Sequence, residues 1–486
     1  MRRKNKQQIK SLLGMVESAL DLMIHGHMEY GTVLQLNQDC SAALEAICNL
    51  LNREHEQEQN ICGKIDICIE GLQQNSVNGK KENLISVAAK INELMQGIES
   101  LPDDKLKVLF LPYKYSMWDS MRTIWEAAKN DERCECHLVP IPYFERNAQG
   151  QVEKACYERE DYPSEAEDYR DFNMEQECPD IIYFHNPYDD INLVTSVHPR
   201  FYSRELKKYT DMLVYVPYYV AGAVSNLEEG ASIYRVPGSI HADRIILQSE
   251  ELKRAYIQSG IEEDKLLVLG SPKIDAVLYP EVTEAQLNLW KGKLGDKKVL
   301  LINTSISGLL GISDHLYKME NLLVRLNRFL GIGYIWRPHP LLQATISSMK
   351  NTEQETYNRL LSLVEDSENG IVDHRHNLYS AIERSDGLVS DYSSLIMQYL
   401  FTGKPVFCME GTYKKTEYIF CDYFGSYFEE EGVSLEDFAL MLEEGKDPKM
   451  EERLKRAKKS ICNSDGTSGE KIHKAIMKIC CRREEQ

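Results

Sequence analysis

The chain lacks any run of about 18 apolar residues, so no transmembrane helix is expected. It also lacks an excess of positive charge: Asp and Glu number 76 against 57 Lys and Arg, a net charge of −19. Nucleic-acid binding needs a basic face that displaces counterions, so no nucleic-acid partner is expected. A small anionic ligand stays open, because one pocket can be positive on an acidic protein. No low-complexity tract occurs, and 43% hydrophobic with 27% charged residues describes a globular chain rather than a disordered one. Paired cysteine spacing is missing as well. The 13 cysteines are scattered and odd in number, and neither Cys134-Glu135-Cys136 nor Cys480-Cys481 has the spacing of a zinc site. They read as thiols of a reducing compartment, and no metal or cofactor is expected. Met1 to Lys10 is basic, but Glu17 and Asp21 interrupt the apolar stretch behind it, which makes a poor signal peptide. The expected location is the cytoplasm, with peripheral association at the inner face of the membrane as an option for that basic first turn.

What is present points to more than one core, since 486 residues accommodate two α/β domains and an accessory segment. Residues 1–100 hold no proline. Ile9, Leu12, Leu13, Val16 and Leu20 fall at helical spacing, as do Leu84, Val87, Ile91, Leu94 and Ile98. Breaks near His25-Gly26, at Asn52 to Asn60 and at Asn75 to Gly79 divide this segment into a three- or four-helix appendage suited to packing, docking or homo-oligomer formation. After Pro102 the pattern changes. Strands are expected at Lys107–Leu111, His137–Ile141, Ile181–Phe184, Leu213–Val216, Arg244–Leu247 and Leu266–Leu269, with helices at Trp118–Lys129 and near Glu251–Ser259. A second series follows Pro280, with strands at Lys298–Ile302, Gly333–Trp336, Ile371-Val372, Gly387–Val389 and Val406–Cys408. Helices are expected between them at Leu316–Leu330, Tyr357–Val364, Leu378–Arg384 and Leu395–Phe401, and a helical tail over Leu435–Leu442 and Lys449–Ile479. Alternating strands and helices imply parallel sheets. The expected fold class is α/β, with two Rossmann-like lobes at 101–280 and 281–486 behind the helical appendage, and a ligand in the crevice at the strand ends.

Two segments carry the chemistry. In Ser385-Asp386-Gly387-Leu388-Val389-Ser390-Asp391-Tyr392-Ser393-Ser394 a buried strand ends in small hydroxyl residues and a helix follows at once. Free amides, the positive end of the helix dipole and the Ser393 and Ser394 hydroxyls suit phosphate oxygens; equally, Asp391 and the serines suit a helix cap. In Trp336-Arg337-Pro338-His339-Pro340 two prolines stiffen the loop after a strand. Arg337 offers a bidentate fork and His339 a hydrogen bond or a proton to a phosphate, or the segment is a rigid turn with an exposed arginine.

The run R-P-H-P, then S-D-x-L-V-S-D-Y-S-S, then Gly403-Lys404-Pro405 resembles the CDP-glycerol glycerophosphotransferases, the teichoic acid primases and polymerases. Gly270-Ser271-Pro272-Lys273-Ile274-Asp275 is similar to that family's G-x-P-R-x-D segment, with Lys273 for Arg, and Ala242 to Ser249 is similar to the stretch leading into it. The resemblance covers roughly 200–420. It implies a GT-B-like fold and transfer of glycerol phosphate from CDP-glycerol, or a related nucleotide donor, to a hydroxyl of a polymer or lipid-linked acceptor, with release of CMP. Arg337, His339, Asp391, Ser393, Ser394 and Gln398 are the implied donor-binding residues.

The chain departs from the pattern in three places. The family's W-H-G motif is replaced by Val214-Tyr215-Val216-Pro217-Tyr218-Tyr219-Val220, Leu301 to Ile306 lacks the arginine of Y-A-P-T-x-R, and Gln398 stands where an Asp is usual. His185 is then a candidate base, beside His339; a loop histidine bonded to local backbone is the alternative. Tyr218, Tyr219 and His198 are candidates for an acceptor groove, with core packing the alternative for the tyrosines. His374 and His376 flank Arg375 and read as crevice-rim residues. A nucleotide-sugar glycosyltransferase or epimerase-like enzyme, and a nucleotide-binding module without catalysis, are the competing readings.

Overall fold

Apolar spacing in the first hundred residues produces four helices: α1 (Arg3–His25), α2 (Tyr30–Leu50), α3 (Glu56–Asn78) and α4 (Lys81–Ser100). In this computed structural model, residues 3–51, 56–101, 104–147, 149–192, 195–221, 234–339, 342–375, 377–391, 393–409 and 425–483 are described. The chain divides into two units, and the smaller is built on these helices. α1 packs on α2 and α4, and α3 on α2 and α4, so four short-linked helices close into a bundle. Ile9, Leu13, Val16 and Leu20 meet Leu84, Val87, Ile91, Leu94 and Ile98 in its interior. Among them Asn37 donates to Asn75 at 2.9 Å, one buried amide satisfying another. No helix among the described residues is long and apolar enough to cross a membrane.

The larger unit contains two six-stranded sheets and one three-stranded sheet. The first uses β1 (Leu106–Leu111), β2 (Cys134–Leu138), β5 (Ile181–Phe184), β7 (Met212–Tyr215), β8 (Arg244–Leu247) and β9 (Leu266–Val268), in the order β2-β1-β5-β7-β8-β9. β3 (Tyr143–Arg146), β4 (Val152–Cys156) and β6 (Thr195–Val197) form the small antiparallel sheet, which the apolar runs do not announce. The other large sheet is β12-β11-β10-β13-β14-β15, from β10 (Lys298–Thr304), β11 (Ile332–Pro338), β12 (Gly370–Val372), β13 (Gly387–Ser390), β14 (Val406–Cys408) and β15 (Tyr427–Phe428). All its pairs are parallel. Both its faces are covered, as a parallel sheet requires: along β10, Val299 and Leu301 enter one apolar cluster and Leu300 and Ile302 the opposite one.

Most element limits shift by one or two residues from expectation, and four departures are informative. β2 stops at Leu138 although the Val139 and Ile141 amides still donate to Phe110 and Pro112, because Pro112, next after β1, has no amide to return to the ladder. The expected helix at Trp118–Lys129 is a 3₁₀ turn, Tyr115–Ser120, followed by a helix from Arg122. The Leu316–Leu330 helix ends at Leu326, capped by Asn327. The tail is two helices, Met450–Ser460 and one starting at Ser468, parted where Asn463 and Gly466 take left-handed φ values of 49° and 87°.

Candidate active site

Both large sheets reverse strand order once, and ligands of open α/β sheets bind at that reversal. In the first sheet it lies between β1 and β5; in the second, between β10 and β13. Of the sequence-predicted residues, His185 follows β5 at the first reversal and Asp391, Ser393 and Ser394 follow β13 at the second; Arg337 and His339 lie at the end of the adjacent β11, Tyr218 and Tyr219 follow β7, and His198 follows β6 of the small sheet.

At the second reversal, Asp391 acts as a clamp. Fully buried at 0% exposure, it accepts the Ser305 amide at 2.8 Å, and His315 Nε2 lies 3.1 Å from the same oxygen. Gly308 comes so close that a Cβ there would meet Asp391 Oδ2 at 2.0 Å. Ser390 Oγ accepts from Asn303 at 3.0 Å and donates to the Asp391 carbonyl at 2.7 Å. The carboxylate therefore joins the loops that follow β10 and β13. Ser393 caps the helix Ser394–Tyr399, its Oγ accepting the Leu395 amide at 3.2 Å, while Ser394 is exposed.

Arg337 leaves β11 and turns onto its own lobe. Its guanidinium pairs with Asp373 and donates to the carbonyls of Arg375 at 2.8 Å and Asn377 at 3.3 Å. The fork is thereby engaged in holding the 373–377 loop, with Asp373 only 2% exposed. His339 sits one step further, exposed, its amide donating to the Thr304 carbonyl at 3.1 Å. Crowding by surrounding atoms holds its ring below the ordinary imidazole range, with Asp391 pulling the other way. His374 is exposed; Pro340, His376 and Tyr392 lie outside the described residues.

At the first reversal, His185 is enclosed rather than facing the crevice. With 0% exposure, its Nε2 accepts the Tyr113 amide at 3.0 Å, and Nδ1 lies 3.1 Å from Ser120 Oγ, which itself donates to Met117 at 2.8 Å. Nε2 is thus the acceptor and Nδ1 carries the proton. Burial, reinforced by the Lys273 charge, pushes the ring down to about 3. The geometry is that of a loop histidine bonded to its neighbourhood. His198 caps a 3₁₀ turn, its Nδ1 accepting the Arg200 amide at 3.2 Å. Tyr218 and Tyr219 are partly buried, Tyr219 Oη lying 3.5 Å from Tyr256 Oη. Burial raises both phenols, so they remain hydroxyl groups.

The remaining motif residues are structural. Gly270 has φ 95°, and a Cβ there would lie 2.5 Å from the Cys462 carbonyl. Buried Asp275 accepts the Ser468 and Gly469 amides at 3.1 and 2.8 Å and the Thr123 hydroxyl at 2.9 Å. Lys404 donates to the Ile382 carbonyl at 2.8 Å, closing the end of the helix Tyr379–Arg384.

Between the two lobes of the larger unit lies a cleft of about 600 Å³, counted to its open mouth. Asp119, Arg122 and Lys273 line it from one side and Asn377, Tyr379 and Gln398 from the other. Lys273 Nζ meets Asp119 at 2.6 Å, and the Tyr379 hydroxyl donates to the same carboxylate. Asp119 and His315 carry no signal in the sequence, whereas Lys273 carries one by its place in the G-S-P-K-I-D segment.

Residues 239–478 match the family described as CDP-Glycerol:Poly(glycerophosphate) glycerophosphotransferase. Among curated proteins none matches the chain by sequence. Among solved structures, the wall teichoic acid polymerase TagF is similar at 15% identity and TM-score 0.50, covering 88% of this chain and 99% of that one. A UDP-GlcNAc 2-epimerase from Neisseria meningitidis bound to UDP-GlcNAc aligns at 15% identity and TM-score 0.49, over 77% and 100%. The likeness to TagF is one of fold, GT-B-like. With the G-S-P-K-I-D and S-D-G-L-V-S-D-Y-S-S segments inside the matched region, residues 239–478 are similar to the CDP-glycerol glycerophosphotransferase family, and the chain is a glycerophosphotransferase-like enzyme.

Proposed function

We propose that the chain transfers glycerol phosphate from CDP-glycerol to a hydroxyl of a cell-wall or capsule polymer precursor and releases CMP. The observation that carries this reading is the family match across the second strand-order reversal, where His339, Ser393 and Ser394 stand at the strand ends. In the reaction, the acceptor oxygen bonds to the β-phosphorus as the bond from that phosphorus to the bridging oxygen breaks. The bridging oxygen keeps the electron pair and leaves with CMP, and the acceptor proton passes to neutral His339. Ser394 and the first amides of its helix stabilise charge on the transferring phosphoryl group, so catalysis rests on positioning and electrostatics.

Arg337 and Asp391 serve this site by fixing its loops. His185 keeps the loop after β1 in shape. The acceptor approaches past Tyr218, Tyr219 and His198 in the first lobe. We place the enzyme at the cytoplasmic face of the membrane, where a lipid-linked acceptor is met, with the helical bundle available for self-association.

The test is CMP release from CDP-glycerol in the presence of a lipid-linked polyol acceptor. Acceptor-dependent release is expected, and His339→Asn is expected to slow it by about 10² to 10⁴. Because His339 is held low, the acid limb of the rate profile should fall below the ordinary imidazole value of about 6.5. Stronger thermal stabilisation by UDP-sugars than by CDP-glycerol, with no CMP formed, would refute the assignment.

A further inference from the structure

The inter-lobe cleft holds a pair of groups that the transfer step does not use. Asp119 lies on the turn Tyr115–Ser120 and Gln398 on the helix Ser394–Tyr399, and both line the same cavity from opposite lobes. Asp119 Oδ2 receives the Lys273 ammonium at 2.6 Å and the Tyr379 hydroxyl, which hold the carboxylate in place. Its other oxygen, Oδ1, is buried and accepts no hydrogen bond among the described residues. Gln398 is 5% exposed, and its Oε1 is buried without a partner in the same way.

Native proteins rarely leave buried acceptors unmatched, and a ligand that brings donors to them is favoured. The neighbouring cations do not meet this need: Lys273 is turned to Oδ2, and Arg122 is paired with Glu126 at 2.9 Å and Glu281 at 3.1 Å. A phosphate brings no donor to an acceptor. A vicinal diol brings two hydroxyls on adjacent carbons, one for each wall. CDP-glycerol carries two such groups, the ribose and the free end of the glycerol.

We propose that Asp119, with Gln398 lining the same cleft from the other lobe, determines specificity by reading a vicinal diol of the donor. The proposal rests on the donor reading above. It makes the first lobe a part of the donor site, since Asp119 comes from the loop after β1.

Titration calorimetry with CDP-glycerol, its 2′-deoxyribose analogue and CDP-ethanol tests it. One analogue should bind about ten- to a hundredfold more weakly than CDP-glycerol, and which one does so identifies the diol. Asp119→Asn and Gln398→Met should each shrink that ratio toward one, with thermal melting confirming the fold. If Asp119→Asn does not fold, the wild-type series and Gln398→Met decide. Equal wild-type affinity for all three ligands would overturn the proposal. So would variants that weaken all three in proportion, since that is the behaviour of a residue merely joining the lobes. Absence of binding to any of the three would remove the CDP-glycerol assignment itself, and this proposal with it.

Discussion

Acidification from pH 7 to pH 5 should destabilise the lobe around His185, by an amount that follows from its burial. The folded ring titrates at about 3, whereas an unfolded imidazole titrates near 6.5. The folded state therefore binds fewer protons, and its stability falls as pH drops through the unfolded value, continuing until the folded one is reached. Linkage between these two values gives a loss of about 2 kcal/mol at pH 5 and about 3 kcal/mol at pH 4. Buried Asp189 and Asp275 oppose the trend, because burial raises both carboxyls and protonation suits their folded state. The contribution of the ring is isolated by difference. Urea unfolding of wild type and His185→Gln, followed through Trp118 and Trp125 fluorescence, should show the stability advantage of wild type shrinking by about 2 kcal/mol between pH 7 and pH 5. Parallel pH dependences in the two proteins would refute the argument that this histidine is sealed and neutral.

Arg337→Met should cost about 3 to 5 kcal/mol, because it strands buried Asp373, and Arg337→Met with Asp373→Leu should recover most of that; equal urea midpoints for the single and double variants would dissolve the pair. Asp275→Ala should leave the amides of Ser468 and Gly469 unpaired at a cost of roughly 2 kcal/mol, read as about thirtyfold faster hydrogen exchange there. Unchanged protection at both amides would show that this carboxylate caps nothing.

Strands such as Lys107–Leu111 and Lys298–Ile302 were legible because sheets covered on both faces turn into plain apolar runs. The antiparallel sheet was not: Val152–Cys156 is mostly exposed, so no apolar run betrays it, and β3 finds its second partner β6 about fifty positions on. The site shows the same contrast. Ser393 as a cap and Ser394 as an exposed hydroxyl follow from local order alone. Arg337 read as a phosphate fork because Asp373, its partner, lies 36 positions downstream on a neighbouring strand end. Asp391 read as a ligand or a cap, whereas its partners Ser305 and His315 come from the other side of the strand-order reversal. His185 shows why residue type does not disclose role: what separates a base from a rivet is solvent, and enclosure by Tyr113 and Ser120 is a property of the assembled loop.

The capping of the Ser468 helix by Asp275 has a consequence for synthesis on the ribosome. Thr123 and Asp275 on one side and Ser468 on the other complete a single lobe, and His473 reaches Asp131 across 342 positions. At 5–20 residues per second, a ribosome needs roughly 17 to 70 s to deliver the second partner after the first. Throughout that interval the earlier half of the enzyme waits unfinished while the later sheet is made, so the order of birth and the order of completion are opposed.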